Sequence, residues 1–348
     1  MEHGAHPLVA VDDEGVLSMP PETAAVLSSL REDLAVVCLA GPYRTGKSFL
    51  LNWLSQAPPG DGWVSSTQKL ERGFEVGPNI TACTRGLWMW PTSSTVRVDG
   101  RDMRVIYIDS EGLGAVGSDQ QHDLNIFSLA VLASSLFMFN SVGAIEESSI
   151  AQLSFITQLS KHIHCRSQDK DGEDDIEDFE KFFPNFMWIL RDFALELVDE
   201  DGEPMTEKQY LESALEPDPS FDDDAFEKNR VRELITTFFP RRDCCTLQRP
   251  AAEEADLARM HEGDVTSVRP GFRRQLEGLR EKIFGMLAPK SLDGKPLNGS
   301  VLLAPRTAAP SLRAWNRRRC PTACARQRRA LAAAGRCFAH CCKCTSRP

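Results

Sequence analysis

The eight residues Gly41-Pro-Tyr-Arg-Thr-Gly-Lys-Ser48 indicate which fold to expect for this chain. It matches the pattern G-x-x-x-x-G-K-[ST], in which glycines let successive backbone N–H groups point at phosphate oxygens. The apolar run Leu34 to Ala40 precedes it, as a buried parallel strand would, and Phe49 to Leu54 has the pattern of a helix. Strand, glycine loop and helix in this order predict a phosphate site at the helix N-terminus.

Polar residues in and after this loop have side chains that can bind the phosphates of a nucleotide and ligate Mg²⁺. Lys47 adds a positive charge at the β- and γ-phosphates, and the Ser48 hydroxyl is a predicted Mg²⁺ ligand. Asp109 ends a later apolar run, where its carboxylate is expected to hold the ion through a water. Gly112 follows in the spacing D-x-x-G, so its N–H can meet a γ-phosphate. Thr84 lies between the two motifs and is a candidate for a second hydroxyl ligand.

Three more apolar runs, at Val105 to Ile108, Ala130 to Phe139 and Phe186 to Leu190, alternate with helical stretches. This alternation predicts an α/β domain with a largely parallel sheet. The last run ends in Arg191-Asp192, and the chain has no N/T-K-x-D motif. Asp192 could accept hydrogen bonds from guanine N1 and N2 while Arg191 stacks on or shields the base. The alternative for this pair is a surface ion pair.

Four ordered segments together closely resemble the large GTPase domain of the guanylate-binding proteins, within the dynamin superfamily. They are Gly41 to Asn52, Thr84-Arg-Gly-Leu-Trp-Met-Trp90, Asp109-Ser-Glu-Gly-Leu-Gly114 and Leu190-Arg-Asp-Phe193. The resemblance covers roughly Val9 to Ser300. It implies a P-loop NTPase fold, with a mostly parallel central sheet flanked by helices. The family's helical bundle is expected to be missing from this chain.

The resemblance also implies a role for each matching residue. Arg44 would be an internal arginine finger, placed when two GTPase domains meet face to face, and Glu111 would belong to the network that positions water. Two positions depart from common patterns: Ala82 stands where the best-known members carry a catalytic serine, and Leu113 stands where many GTPases carry a glutamine. The expected catalytic residues are Arg44, Lys47 and Glu111. The expected nucleotide contacts are Gly41, Tyr43, Arg44, Thr45, Gly46, Lys47, Ser48, Phe49, Thr84, Asp109, Gly112, Arg191 and Asp192, with Ser48, Thr84 and Asp109 serving Mg²⁺.

Composition divides the chain into two parts, residues 1–300 and a tail at 301–348. The tail carries 11 Lys and Arg with no Asp or Glu and six of the 11 cysteines, whereas the other 300 residues carry 29 Lys and Arg against 50 Asp and Glu. Such an acidic body argues against a nucleic-acid partner. The tail is expected to be disordered or aberrant, although its charge would allow an unanchored membrane contact. No signal peptide or spanning helix is apparent, which predicts a cytoplasmic protein.

The sequence therefore predicts a magnesium-dependent GTPase that binds GTP and GDP and forms homodimers or heterodimers with related GTPases. One alternative is a truncated, non-catalytic GTP-binding regulator of such GTPases. Another is a membrane-remodelling GTPase of the atlastin type, which would need a membrane anchor. An ATP-specific enzyme is a lesser alternative.

Overall fold

An eight-stranded sheet with helices on both faces forms the centre of the part of the chain that the structure describes, and a separate two-stranded sheet lies near its end. The structure is a computed structural model, and it describes residues 4–12, 17–55, 73–76, 84–98, 100–114, 120–157, 183–220, 223–260, 264–292 and 295–302. Ala82 and residues 303–348 of the predicted tail lie outside these ranges.

The secondary structure follows the predicted alternation over most of the described chain. The strands are β1 His6–Val11, β2 Leu17–Ser18, β3 Asp33–Ala40, β4 Leu87–Val98, β5 Arg101–Ser110, β6 Leu136–Val142, β7 Asn185–Arg191, β8 Arg242–Leu247, β9 Ser291–Leu292 and β10 Lys295–Pro296. The helices are α1 Pro21–Ser29, α2 Lys47–Ser55, α3 Gln120–Ala133, α4 Glu147–Ala151, α5 Glu207–Ala214, α6 Asp223–Phe238, α7 Glu254–Met260, α8 Pro270–Met286 and α9 Gly299–Leu302.

The strand order is β2-β1-β4-β5-β3-β6-β7-β8. Strands β5, β3, β6, β7 and β8 run parallel, which confirms the predicted mostly parallel sheet. Strands β1, β2 and β4 are antiparallel to their neighbours. The connection between β4 and β5 is too short for a crossover, so these two strands form a hairpin inside the α/β pattern.

Two apolar layers, one on each face of the sheet, hold the domain together. Every residue from Leu34 to Ala40 in β3 is buried, because helices cover this strand on both sides. One layer includes residues of α1, α3 and α6, and the other includes α2 and α8. In α8, Phe272, Leu276, Leu279 and Ile283 are all buried at the spacing of one helix face.

One edge of the sheet gathers the predicted site. Gly41, Glu111 and Arg191 stand at the carboxyl ends of β3, β5 and β7, which run in the same direction. Strand β4 runs the opposite way and begins at this edge, so Thr84 arrives there too. In open α/β sheets this edge is the usual place for a ligand. No helix among the described residues combines the length and the apolar character needed to span a bilayer.

Candidate nucleotide site

The loop between β3 and α2 has the backbone that a phosphate cradle requires. Gly41 has a φ of 147° and Gly46 a φ of 77°, values that favour glycine, and Arg44 is held in the left-handed region at 63°. A Cβ on Gly41 would lie 2.1 Å from the Asn140 carbonyl oxygen at the end of β6. The Asn140 side chain donates from Nδ2 to the Thr45 carbonyl at 3.1 Å. Strand β6 therefore packs directly against the loop and hydrogen-bonds to it.

Lys47 is buried at the start of α2. Its Nζ donates to the Pro42 carbonyl at 2.8 Å, and that carbonyl also accepts from Thr45 Oγ1 at 2.9 Å. Burial lowers the pKa of Lys47 to about 8, against the opposing effect of the charges of Asp109 and Glu111. A phosphate anion would reverse this shift, since an opposite charge favours the protonated amine.

Three predicted ion ligands meet beside Lys47. Ser48 Oγ donates to Asp109 Oδ2 at 2.6 Å, Thr84 Oγ1 donates to the same oxygen at 3.1 Å, and the two hydroxyls lie 3.4 Å apart. Asp109 is fully buried, and its Oδ1 has no hydrogen-bond partner among the described residues. Burial raises the pKa of Asp109 to about 6, while Ser48, Lys47 and Thr84 act in the opposite direction.

This arrangement fits Mg²⁺. Hydroxyl and carboxylate oxygens are the hard ligands that the ion prefers, and Ser48, Thr84 and Asp109 supply only such atoms. A cation at this point would compensate a buried carboxylate whose charge the protein itself leaves partly unpaired.

The D-x-x-G loop lies directly against the phosphate loop. Tyr43 N–H donates to the Leu113 carbonyl at 3.0 Å, and Leu113 N–H donates to the Gly41 carbonyl at 3.1 Å. A Cβ on Gly112 would lie 2.6 Å from Tyr43 Cα, so only glycine permits this approach. Displacing either loop would therefore displace the other.

Glu111 connects three elements at this edge. Its N–H donates to the Gly86 carbonyl at 2.8 Å, and its Oε2 accepts from Gly86 N–H at 2.9 Å. The same Oε2 lies 3.0 Å from His122 Nε2 in α3. The carboxylate is thus held between the start of β4 and the start of α3.

Arg191 and Asp192 face different surroundings. Arg191 is buried, and its Nη1 donates to the Gly46 carbonyl at 3.1 Å beneath the phosphate loop. Its guanidinium also lies 5.8 Å from the centre of the Phe272 ring, and burial lowers its pKa to about 10. Asp192 is exposed and has a φ of 55°. In this structure Arg191 contacts the phosphate loop, and stacking on a base stays a prediction.

Arg44 and Phe49 also differ in exposure. The Arg44 side chain is exposed, and its Nε donates to the Tyr43 hydroxyl at 3.3 Å. Phe49 is buried in the core beside Trp53, with ring centres 6.3 Å apart. A nucleotide could therefore meet Phe49 only through its backbone, whereas the Arg44 side chain lies at the surface.

Two residues of this edge were not among the sequence predictions. Asn140 could have been suspected, because it is a polar residue that directly follows the apolar residues Leu136 to Phe139 of β6. The structure shows it fully buried. His122 gave no signal, since nothing in its local pattern marks it. The remaining predicted residues come together as described, although their roles stay predictions. Ala82 lies outside the described residues.

The fold and the arrangement of these two loops define a P-loop NTPase domain. The model of the "Guanylate-binding protein, N-terminal domain" family matches residues 14–291. The chain is 34% identical over 299 residues to human guanylate-binding protein 1, a match that spans 84% of this chain and 47% of the relative. It is also 34% identical over 300 residues to human guanylate-binding protein 2, a match that spans 85% of this chain and 48% of the relative. The identity to mouse guanylate-binding protein 7 is 34% over 302 residues, spanning 85% of this chain and 44% of the relative. The chain therefore belongs to the guanylate-binding protein family.

The chain spans about half the length of the curated relatives it matches. Among solved structures, a match to Era from Aquifex aeolicus, bound to GDP and aluminium fluoride, covers 76% of this chain and 59% of the Era chain. Its TM-score is 0.30 and its sequence identity is 12%, so no conclusion is based on it.

Proposed function

We propose that this domain binds GTP with Mg²⁺ and hydrolyses it to GDP and phosphate. The observation that carries the proposal is the convergence of Ser48, Thr84 and Asp109 within hydrogen-bonding distance, beside the buried amine of Lys47. Two hydroxyls and a carboxylate around one point, next to a phosphate cradle, match what a nucleotide triphosphate with a divalent cation requires.

The phosphate loop would bind the β- and γ-phosphates through its N–H groups and Lys47. A water would attack the γ-phosphorus while the bond to the bridging oxygen breaks, and Gly112 N–H would meet the γ-phosphate. Ser48 and Thr84, together with Asp109 through a water, would hold Mg²⁺, which when bound would supply charge compensation to the phosphate oxygens. Glu111 would orient the water, because its carboxylate is fixed at the same edge.

Base recognition is assigned to Asp192. Its exposed carboxylate follows the end of β7 and can accept from guanine N1 and N2. Arg191 would act indirectly, since its guanidinium supports the phosphate loop at Gly46 and so links the base end of the site to the phosphate end. Competition between GTP and ATP for the purified protein tests this assignment.

Two copies would associate through the nucleotide face. Arg44 stands exposed on the phosphate loop, so contact with a second domain could turn its guanidinium onto the transferring phosphoryl group. Homodimers and heterodimers with related GTPases both fit this proposal. A cytoplasmic location and an unanchored membrane contact also stay predictions.

The test is GTP hydrolysis per molecule of purified protein, measured across a hundredfold range of protein concentration. We expect specific activity to rise with concentration, because association completes the site. Lys47→Ala should abolish binding of labelled GTP, whereas Lys208→Ala, at an exposed lysine of α5, should not change it. Binding without turnover at any concentration would favour the non-catalytic regulator, and specific activity independent of concentration would remove association from the mechanism.

A further inference from the structure

We propose that His122 is a positioning residue for Glu111, holding its carboxylate where it can orient the attacking water. This inference rests on the proposed hydrolysis and extends it to a helix that the sequence motifs do not include. It depends on contacts among the start of β4, the end of β5 and the start of α3.

Glu111 is held from one side by a backbone that cannot move far. Two hydrogen bonds join Gly86 and Glu111. The Glu111 N–H donates to the Gly86 carbonyl, and the Gly86 N–H donates to Glu111 Oε2. Gly86 itself has a φ of 73°, and a Cβ there would lie 2.1 Å from the Val9 carbonyl oxygen of β1. The sheet therefore fixes this side of the carboxylate.

The first turn of α3 holds the other side. His122 Nε2 lies 3.0 Å from Glu111 Oε2, and the side chains of His122 and Glu111 are only 20% and 16% exposed. The next residue, Asp123, accepts from Gly114 N–H through Oδ2 at 2.9 Å. Two consecutive residues of one helical turn thus hold both ends of the segment from Glu111 to Gly114.

That segment contains the groups closest to the phosphate loop. Leu113 exchanges hydrogen bonds with Tyr43 and Gly41, and Gly112 packs on Tyr43 Cα. A shift of α3 would therefore change the position of Glu111 and of the D-x-x-G loop together. Through the His122 side chain, that helix contacts the Glu111 carboxylate directly.

A hydrogen-bond donor is the chemistry required at position 122. An imidazole with a hydrogen on Nε2 donates to an ionised carboxylate whether the ring is neutral or charged. Both donors, Gly86 N–H and His122 Nε2, use Oε2, and Oε1 takes part in neither bond. With Oε2 fixed twice, Oε1 has a defined direction and is the oxygen we assign to the water. Such orientation lowers the barrier because the water no longer has to be aligned in the transition state.

The test compares His122→Ala, which removes the donor, with His122→Gln, whose amide Nε2 can replace the imidazole Nε2. Gln121→Ala, at an exposed neighbour in the same helical turn, is the matched control. We expect His122→Ala to lower kcat about tenfold or more while KM changes less than about threefold, and His122→Gln to restore most of the loss. Hydrogen–deuterium exchange at the Gly86 amide should be faster in His122→Ala only, because Glu111 is then held less firmly.

The outcomes separate this inference from the proposed hydrolysis. Wild-type protein that binds GTP without hydrolysing it would overturn the hydrolysis, and exchange at Gly86 would still report whether His122 positions Glu111. Unchanged exchange in His122→Ala would overturn the inference. So would a His122→Gln variant as impaired as His122→Ala, because packing and not hydrogen bonding would then be the role of the ring.

Discussion

Arg44 combines an unusual backbone with an exposed side chain. Its φ of 63° lies in the left-handed region, which costs a residue with a Cβ about 1–2 kcal/mol. The surrounding loop maintains this conformation, since Thr45 is held by Asn140 and Tyr43 by Leu113. The guanidinium lies 5.5 Å from the centre of the Tyr43 ring, so it has a resting position within its own chain. Strain of this kind is common where a side chain has a functional role.

We predict that Arg44→Ala spares GTP binding but lowers turnover about 100-fold or more, because the lost guanidinium would act only on charge that develops in the transition state. Single-turnover hydrolysis at saturating protein measures the effect, and binding of labelled GTP serves as the internal control. Turnover equal to that of the wild type would remove Arg44 from the mechanism.

The residues that meet at the candidate nucleotide site could be selected from the sequence because they match the G-x-x-x-x-G-K-[ST] and D-x-x-G spacings. Lys47 and Ser48 come shortly after the apolar run Leu34 to Ala40, and Asp109 directly follows the run Val105 to Ile108. The contacts of Arg191 and His122 could not be predicted, because the direction of a long side chain depends on the packing of neighbouring elements. The Arg191 guanidinium contacts the Gly46 carbonyl and the Phe272 ring of α8, which are distant from it in sequence.

The junction of β3, β6 and the phosphate loop requires the absence of a side chain at position 41. We predict that Gly41→Ala destabilises the nucleotide-free protein by about 3 kcal/mol or more, because the new Cβ would overlap the Asn140 carbonyl oxygen. Gly202→Ala is the matched control: its φ of 82° is also left-handed but nothing lies within 4 Å of a Cβ there, so we expect a cost of about 1–2 kcal/mol. Urea unfolding measures both, and equal losses would contradict the packing explanation.

Among the elements, four of the five parallel strands were predicted, whereas β8 and the hairpin were not. Continuous apolar runs identify β3, β5, β6 and β7, because both faces of these strands are covered. In β4 the apolar pattern is interrupted, and its register with β5 shifts between Pro91 and Thr95. Proline lacks a backbone donor, so local sequence at this point argues against a strand that tertiary pairing nevertheless forms.

At the scale of the whole molecule, Lys290 joins the end of the described chain to the sheet. Its N–H donates to the Leu34 carbonyl at 2.7 Å, its carbonyl accepts from Leu297 N–H at 2.7 Å, and its Nζ donates to the Ser134 carbonyl at 2.8 Å after α3. Loss of hydration lowers the pKa of Lys290 to about 8 from 10.5. The amine is thus partly desolvated where three elements meet.

This shift predicts a pH dependence of stability. Between about pH 8 and 10.5 the unfolded chain binds the Lys290 proton more tightly than the folded protein, so this residue raises the free energy of unfolding as the pH rises. We expect the wild type to gain about 1–3 kcal/mol over this range relative to Lys290→Met, which has no titrating amine. Urea unfolding at several pH values measures the difference. Lys208→Met should titrate like the wild type, and a Lys290→Met difference that stays constant with pH would contradict the prediction.

The turn of the β4–β5 hairpin lies at the opposite end of these strands from the candidate nucleotide site. Thr84 and Asp109 lie near its two open ends, whereas Gly100, beside the turn, has a φ of 76° and no atom within 4 Å of a Cβ position. Ten strand residues at about 3.3 Å each put the turn on the order of 30 Å from the phosphate loop. A fluorophore or an affinity peptide attached beside Gly100 would therefore report on the domain without touching bound nucleotide.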